Sequence, residues 1–307
     1  MKQFLLALAL SIPLASFSHS ASAQGKSAPS ASEVAALRKS AEQGAAQGNS
    51  TDQALLGFMY YLGKGVDQDY AKAAYWLRKA AEQGDAGAQT MLGEMHRHGT
   101  GVAQDAVQSA SWYRKGAEHG DVVAQRMLGL LYQDGDGVPQ DYTQAANWFR
   151  KAAEQGDADA QRILGLMYHG GDGVPQDYTQ AANWVRKAAE QGDTQAQSLL
   201  GFLFYRGEGV AQDYAQAANW FRKAAAQGSP PAQEMLGAMY SDGDGMPQDY
   251  VLAYAWVNLS ASSSGSDDSR KLRNQMANKL SPEQLGEAQR LSSKWKPGQG
   301  IARESNR

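Results

Sequence analysis

The sequence predicts an all-α fold, a right-handed α-solenoid of helix-turn-helix repeats with capping helices at both ends. Two periodic series carry this. Trp recurs at Trp76, Trp112, Trp148, Trp184, Trp220 and Trp256, and a Leu-Gly pair recurs at Leu56, Leu92, Leu128, Leu164, Leu200 and Leu236, both stepping by 36 residues without slippage. A third observation agrees: residues 125–160 and 161–196 are nearly the same segment written twice. Six copies span about residues 49–264. A length of 307 residues would otherwise suggest two globular domains. An unbroken period argues instead for units that each touch their neighbours.

Each unit reads as two helices, A and B. In the fourth copy helix A is expected from Ala158 to His169, with Asp157 as N-cap and Gly170 after it. Ile163, Leu164, Met167 and Tyr168 form one apolar stripe on it. Helix B starts at Tyr178, with Asp177 as N-cap and Gln180 placed to complete a capping box. Ala181, Ala182, Trp184, Val185, Ala188 and Ala189 make its apolar face, and Gly192 ends it. In the sixth copy Ser229-Pro230 is a start signal, a cap followed by Pro at the first helical position.

A helical repeat of 36 residues is close to the 34-residue tetratricopeptide unit. The A–B loop, Gly-Asp-Gly-Val-Pro-Gln-Asp at 135–141, makes the likeness specific. The unit resembles a Sel1-like repeat: Leu-Gly-x-x-Tyr, then Gly-x-Gly-Val-x-x-Asp-Tyr, then Ala-x-x-Trp-x-x-Lys-Ala-Ala-x-x-Gly. The resemblance covers roughly two thirds of the chain. The second copy departs most, with His96 and Ala106 in place of the two Tyr and Gly116 in place of an Ala.

Residues 1–23 read as a signal peptide: Lys2, an apolar run from Phe4 to Phe17, and Ala21-Ser22-Ala23 as the cleavage site. Export to the periplasm or beyond is therefore expected, with no stable membrane insertion after cleavage. Residues 24–32 read as a flexible linker and 33–48 as an N-terminal capping helix. Behind the sixth copy, residues 260–266 read as a Ser-rich loop and 265–295 as capping helices. Ser281-Pro282-Glu283-Gln284 is the strongest start signal there. Residues 296–307 read as a disordered tail.

Formal net charge is −3, or −4 without Lys2, which gives no nucleic-acid footprint. There is no Cys, so an exported chain must hold itself by packing. Some secreted Sel1-like proteins are cysteine-rich, with a bridge in each repeat and β-lactam binding; this chain lacks that framework, and the activity is not carried over. No metal or cofactor is expected. Asp-Gly-Asp-Gly at 134–137 and 242–245 suggests a calcium loop, but Val138 and Met246 stand where an oxygen ligand is needed. His96 and His98 are two apart and face differently. Ser293-x-x-Lys296 matches a penicillin-binding motif by letters alone, without its companions. No catalytic residue and no enzyme activity are expected.

Two ladders stand out. On helix B, Arg78-Lys79, Arg114-Lys115, Arg150-Lys151, Arg186-Lys187 and Arg222-Lys223 recur, with Glu82, Glu118, Glu154 and Glu190 four after the Arg. That predicts a solvated face with local ion pairs. The Trp series predicts wedges between helices. On helix A, four positions change from copy to copy while the apolar stripe stays constant, and their spacing places them on one face. The expected partner-binding residues on that face are Phe58, Tyr61, Arg97, Arg126, Arg162, His169, Phe202, Tyr205 and Arg206. In tetratricopeptide-like stacks, which the unit resembles, helix A lines the concave surface. The variation reads either as a ligand groove or as drift of free surface that also helps neighbouring helices pack. The expected function is an exported scaffold binding a protein or extended peptide. A peptidoglycan or envelope-polymer binder is the alternative, and a hydrolase a distant third.

Overall fold

The computed structural model describes residues 30–301. The expected signal peptide, most of the linker and residues 302–307 lie outside the described residues. Among the described residues there are fifteen α-helices and no strand. They fall in two compact units, Met1–Gln155 and Gly156–Arg307.

The first unit holds α1 (Ala31–Ala46) and three A–B pairs: α2 (Ser50–Leu62) with α3 (Tyr70–Glu82), α4 (Ala86–His98) with α5 (Ala106–Glu118), and α6 (Val122–Asp134) with α7 (Tyr142–Glu154). The second holds α8 (Ala158–Gly170) with α9 (Tyr178–Glu190), α10 (Thr194–Arg206) with α11 (Tyr214–Ala226), and α12 (Pro230–Asp242) with α13 (Tyr250–Ser264). Helices α14 (Asp267–Ala277) and α15 (Pro282–Lys294) follow and pack on α13. Within each unit a helix packs chiefly on the next one in the chain, the nearest-neighbour pattern of a repeat array.

The caps explain the helix ends. Every helix B opens on an Asp whose side chain accepts a backbone N–H from the first turn, as Asp141 does from Gln144 and Asp213 from Gln216. Every helix A of the six copies ends on a glycine in the left-handed region, such as Gly135 and Gly207. Asp177 takes the N–H groups of both Thr179 and Gln180, but the Gln180 side chain does not return a bond. The complete capping box occurs at Ser30 with Glu33 and, as expected, at Ser281 with Gln284. Ser229 sits at its cap position without a capping bond; its hydroxyl lies 2.9 Å from Ser198 Oγ instead.

The expected Ser-rich loop is largely helix. The α13 helix runs on to Ser264, and Ser262, Ser263 and Ser264 satisfy their hydroxyls within it, donating to the carbonyls of Asn258, Leu259 and Ser260 at 2.7, 2.9 and 2.8 Å. Beyond α15, residues 296–301 of the expected tail lie against the last repeats. Gly298 N–H donates to Ala226 O at 2.7 Å, the Trp295 indole donates to Gln299 O at 2.7 Å, and Ile301 joins the apolar cluster around Phe221 and Leu236.

Two glycines per copy set the packing. The glycine of each Leu-Gly pair lets helix B approach: a Cβ on Gly129 would run into the Phe149 ring, and one on Gly201 into the Phe221 ring. The second loop glycine lets one copy's loop lie on the previous copy's helix B. Gly137 (φ +71°) and Gly209 (φ +72°) are left-handed, and a Cβ there would overlap the carbonyls of Ala106 and Tyr178.

A glutamine seam was not foreseen. Gln53, Gln125 and Gln197 are buried in helix A and donate to the Ala45, Ala117 and Ala189 carbonyls at 3.2 Å. Each then accepts from a Gln at the end of helix B, Gln83, Gln155 and Gln227, at 2.7–2.8 Å. In the second copy His119 Nδ1 takes that role, 2.8 Å from Gln89 Oε1. The bonds satisfy a buried amide that would be costly alone.

The Trp residues wedge as expected, with one addition. Trp148 packs on the cluster of Tyr113 and Leu128, and Trp220 on that of Val185 and Leu200. Both rings stay half-exposed, and the Lys three residues on covers them: Lys151 Nζ lies 3.8 Å from the Trp148 ring centre and Lys223 Nζ 3.7 Å from that of Trp220. The expected Arg–Glu pairs of helix B do not form at Arg114 or Arg186. Arg114 reaches the Tyr132 hydroxyl at 3.0 Å and Arg186 lies over the Phe204 ring at 5.9 Å, since a neighbouring ring offers more contact than a solvated Glu.

Candidate functional site: the helix-A face

The variable face is best taken unit by unit. In the first unit, Phe58 is 3% exposed and belongs to the core cluster with Leu77 and Leu92. Arg126 is 6% exposed. Neither side chain presents itself to solvent. Tyr61 is half-buried, edge-on to Tyr70 at 5.3 Å between ring centres. Burial pushes its hydroxyl pKa up, and Tyr70 and Glu94 add to the shift.

Copy two differs from the others. Glu94 stands where other copies carry Phe, Leu or Ala, and Tyr113 where they carry Leu, Phe or Val. The two changes match: the buried Tyr113 hydroxyl donates to Glu94 Oε2 at 2.5 Å. Burial and the Glu94 carboxylate push the Tyr113 hydroxyl far up, so it stays a donor. Glu94 Oε1 lies 3.1 Å from His98 Nε2. Arg97 is half-buried beside this pair, close enough for its charge and that of Arg126 to act on Tyr113.

In the second unit the equivalent side chains reach the next copy. Arg162 meets Asp159 at 3.0 Å and Asp193, the N-cap of the next helix A, at 3.4 Å. His169 Nε2 lies 2.8 Å from Glu208 in the next A–B loop and edge-on to Tyr178 at 5.0 Å. Tyr205 donates to Asp244 in the loop after that at 3.1 Å and leans on Tyr214 at 5.1 Å. Burial, then the bond to Asp244, pushes its hydroxyl pKa up. Phe202 packs edge-on to Phe221 at 5.0 Å. Arg206 is the most open of the set, 63% exposed and 3.7 Å from Glu208.

The first ladder position is thus a seam. In the second unit it bonds the N-cap of the next helix A, Arg162 to Asp193 and Ser198 to Ser229. The third position in the second unit bonds the next loop, His169 to Glu208 and Tyr205 to Asp244. Surface left for a partner in the first unit is carried by Tyr61, Arg97 and His98, and in the second by His169, Tyr205 and Arg206 with the edge of Phe202.

His96 is buried with Nδ1 3.3 Å from Ala103 O, while His98 is exposed. The Ser293 hydroxyl donates to Arg290 O at 3.0 Å within α15. No group of His, Asp and Glu able to hold a metal occurs among the described residues. No described helix is long and apolar enough to cross a membrane.

Six segments, residues 52–85, 86–121, 122–157, 158–193, 194–229 and 230–264, match the Sel1 repeat. Among solved structures, the chain is similar to a Sel1 repeat protein from Oxalobacter formigenes, at 34% identity over 68% of this chain and 84% of that one, with a TM-score of 0.64. It is also similar to c5321, a protective antigen of uropathogenic Escherichia coli with an SLR fold, at 28% identity over 89% and 85%, TM-score 0.48. A third is cysteine-rich protein B of Helicobacter pylori, at 28% identity over 43% and 96%, TM-score 0.35. No curated protein matches.

Proposed function

The chain belongs to the Sel1-repeat family, whose members are generally protein-interaction scaffolds and typically non-catalytic, and from that premise we propose an exported scaffold that holds a protein or extended peptide on its helix-A faces. One observation carries the proposal. The loop glycines and the Leu-Gly pairs repeat from copy to copy, whereas four positions on one face of helix A change, among them half-exposed Tyr, Arg and His. Those residue types are enriched at protein interfaces. The three-part leader at 1–23 supports export.

The test uses the full chain in its native envelope, crosslinked and analysed by mass spectrometry. Replacing Tyr61, Arg97, His169 and Tyr205 together by Ala should abolish partner capture while helical content by circular dichroism is kept, the thermal midpoint falling only by the lost contacts of His169 and Tyr205. Capture that survives removes the helix-A assignment. Capture of purified peptidoglycan with no protein present would favour the envelope-polymer alternative.

A further inference from the structure

We propose that Arg97 is the position that reads a carboxylate on the partner, so that the segment bound at the second copy is an acidic stretch of extended peptide. The proposal rests on the helix-A assignment above and adds the chemical class of the ligand.

Two things hold the third ladder residue elsewhere, and Arg97 has neither of them. Tyr61, His169 and Tyr205 each lean on the Tyr that opens their own helix B, at 5.3, 5.0 and 5.1 Å. In the second copy that Tyr is replaced by Ala106. His169 and Tyr205 each bond an acid in the next loop. The corresponding loop acid for Arg97 is Asp136, which is exposed and makes no bond to it. The natural partner on its own helix is Glu94, three residues back. Both Glu94 oxygens are occupied, one by the Tyr113 hydroxyl and one by His98.

Arg97 therefore keeps a guanidinium without a hydrogen bond or ion pair among the described residues, half-buried on the variable face. A half-buried Arg gains more from a charged partner than an open one. The neighbouring Glu94 carboxylate, 22% exposed, sets the class. It repels a doubly charged phosphate more than a singly charged carboxylate, which the planar guanidinium fork also matches in shape. Tyr113 is a positioning residue: it holds Glu94 away from Arg97.

The experiment measures fluorescence anisotropy of a labelled hexaglutamate peptide on the full mature chain at low salt, with hexaglutamine as the uncharged probe. Wild type should bind hexaglutamate and not hexaglutamine. Arg97→Gln should weaken binding at least tenfold, and Tyr113→Phe several-fold, because the released Glu94 then pairs with Arg97. Glu94→Leu together with Tyr113→Phe should restore wild-type binding. Arg78→Gln, the same charge change on helix B, should stay within twofold. Hexaglutamate that fails to bind, or that binds Arg97→Gln as well as wild type, overturns the role of Arg97. Neither result touches partner capture through Tyr61 and Tyr205, whose loss alone would remove the helix-A assignment.

Discussion

The two units use one template for different ends. In the second, Arg162, His169 and Tyr205 reach into the next copy and tie adjacent repeats together. In the first, the matching positions turn inward or stay open: Glu94 serves Tyr113, and Arg97 is left without an acid. Variation along a repeat array thus has two meanings. A changed side chain whose partner changes in the next copy is a joint. A changed side chain that has lost its partner is available to a ligand.

The largest expected effect tests the shared template. Gly137→Ala in the first unit and Gly209→Ala in the second should each destabilise the chain by more than ~2 kcal/mol, since each adds a Cβ against a backbone carbonyl at positive φ. Denaturant unfolding reads this; unequal losses would mean that the loop contact differs between units.

Next comes the buried pair. Tyr113→Phe should cost about 1–2 kcal/mol by removing the Glu94 bond, and adding Glu94→Leu should recover most of it, because the double variant restores an apolar pair of the kind other copies carry. A double variant no more stable than Tyr113→Phe contradicts the coupling.

A smaller effect separates joint from open position. Arg162→Gln should cost roughly 1 kcal/mol, less in high salt, whereas Arg97→Gln should stay within about 0.5 kcal/mol. Equal losses would erase the distinction between the units.

The smallest effect concerns Asp121, whose pKa burial raises above the ordinary 3.8. The unfolded chain then releases this proton first as pH rises. Its contribution to stability is full below 3.8 and is lost as pH climbs through the folded value. Asp121→Asn caps the helix equally well. The variant should match wild type at acidic pH and equal or exceed it at pH 7, read as thermal midpoint against pH.

The period, the helix pairs and nearly all caps were legible, because each rests on local chemistry: an Asp before a helix, a left-handed Gly after it. The Ser-rich segment reads as loop from composition and is helix in the structure, where its hydroxyls are satisfied by carbonyls one turn back. The glutamine seam was visible as a constant polar residue inside an apolar helix, at Gln53, Gln125 and Gln197, but its Gln partners lie 30 residues on, at the far end of the same copy. The candidate face was legible only as a set of positions. Phe58 and Arg126 share its spacing and are buried, Phe58 in the core cluster with Leu77 and Leu92. Glu94 with Tyr113 could have been found from their paired departure from the other copies.

The central claim is that partners meet helix A and not helix B. A photo-crosslinking residue placed singly at Tyr61, Tyr205, Tyr75 or Asn183 in the full chain, in its native envelope, tests it most directly. Adducts to one protein from positions 61 and 205, with none from the helix-B positions 75 and 183, are the expected result. Adducts from the helix-B positions alone would contradict it.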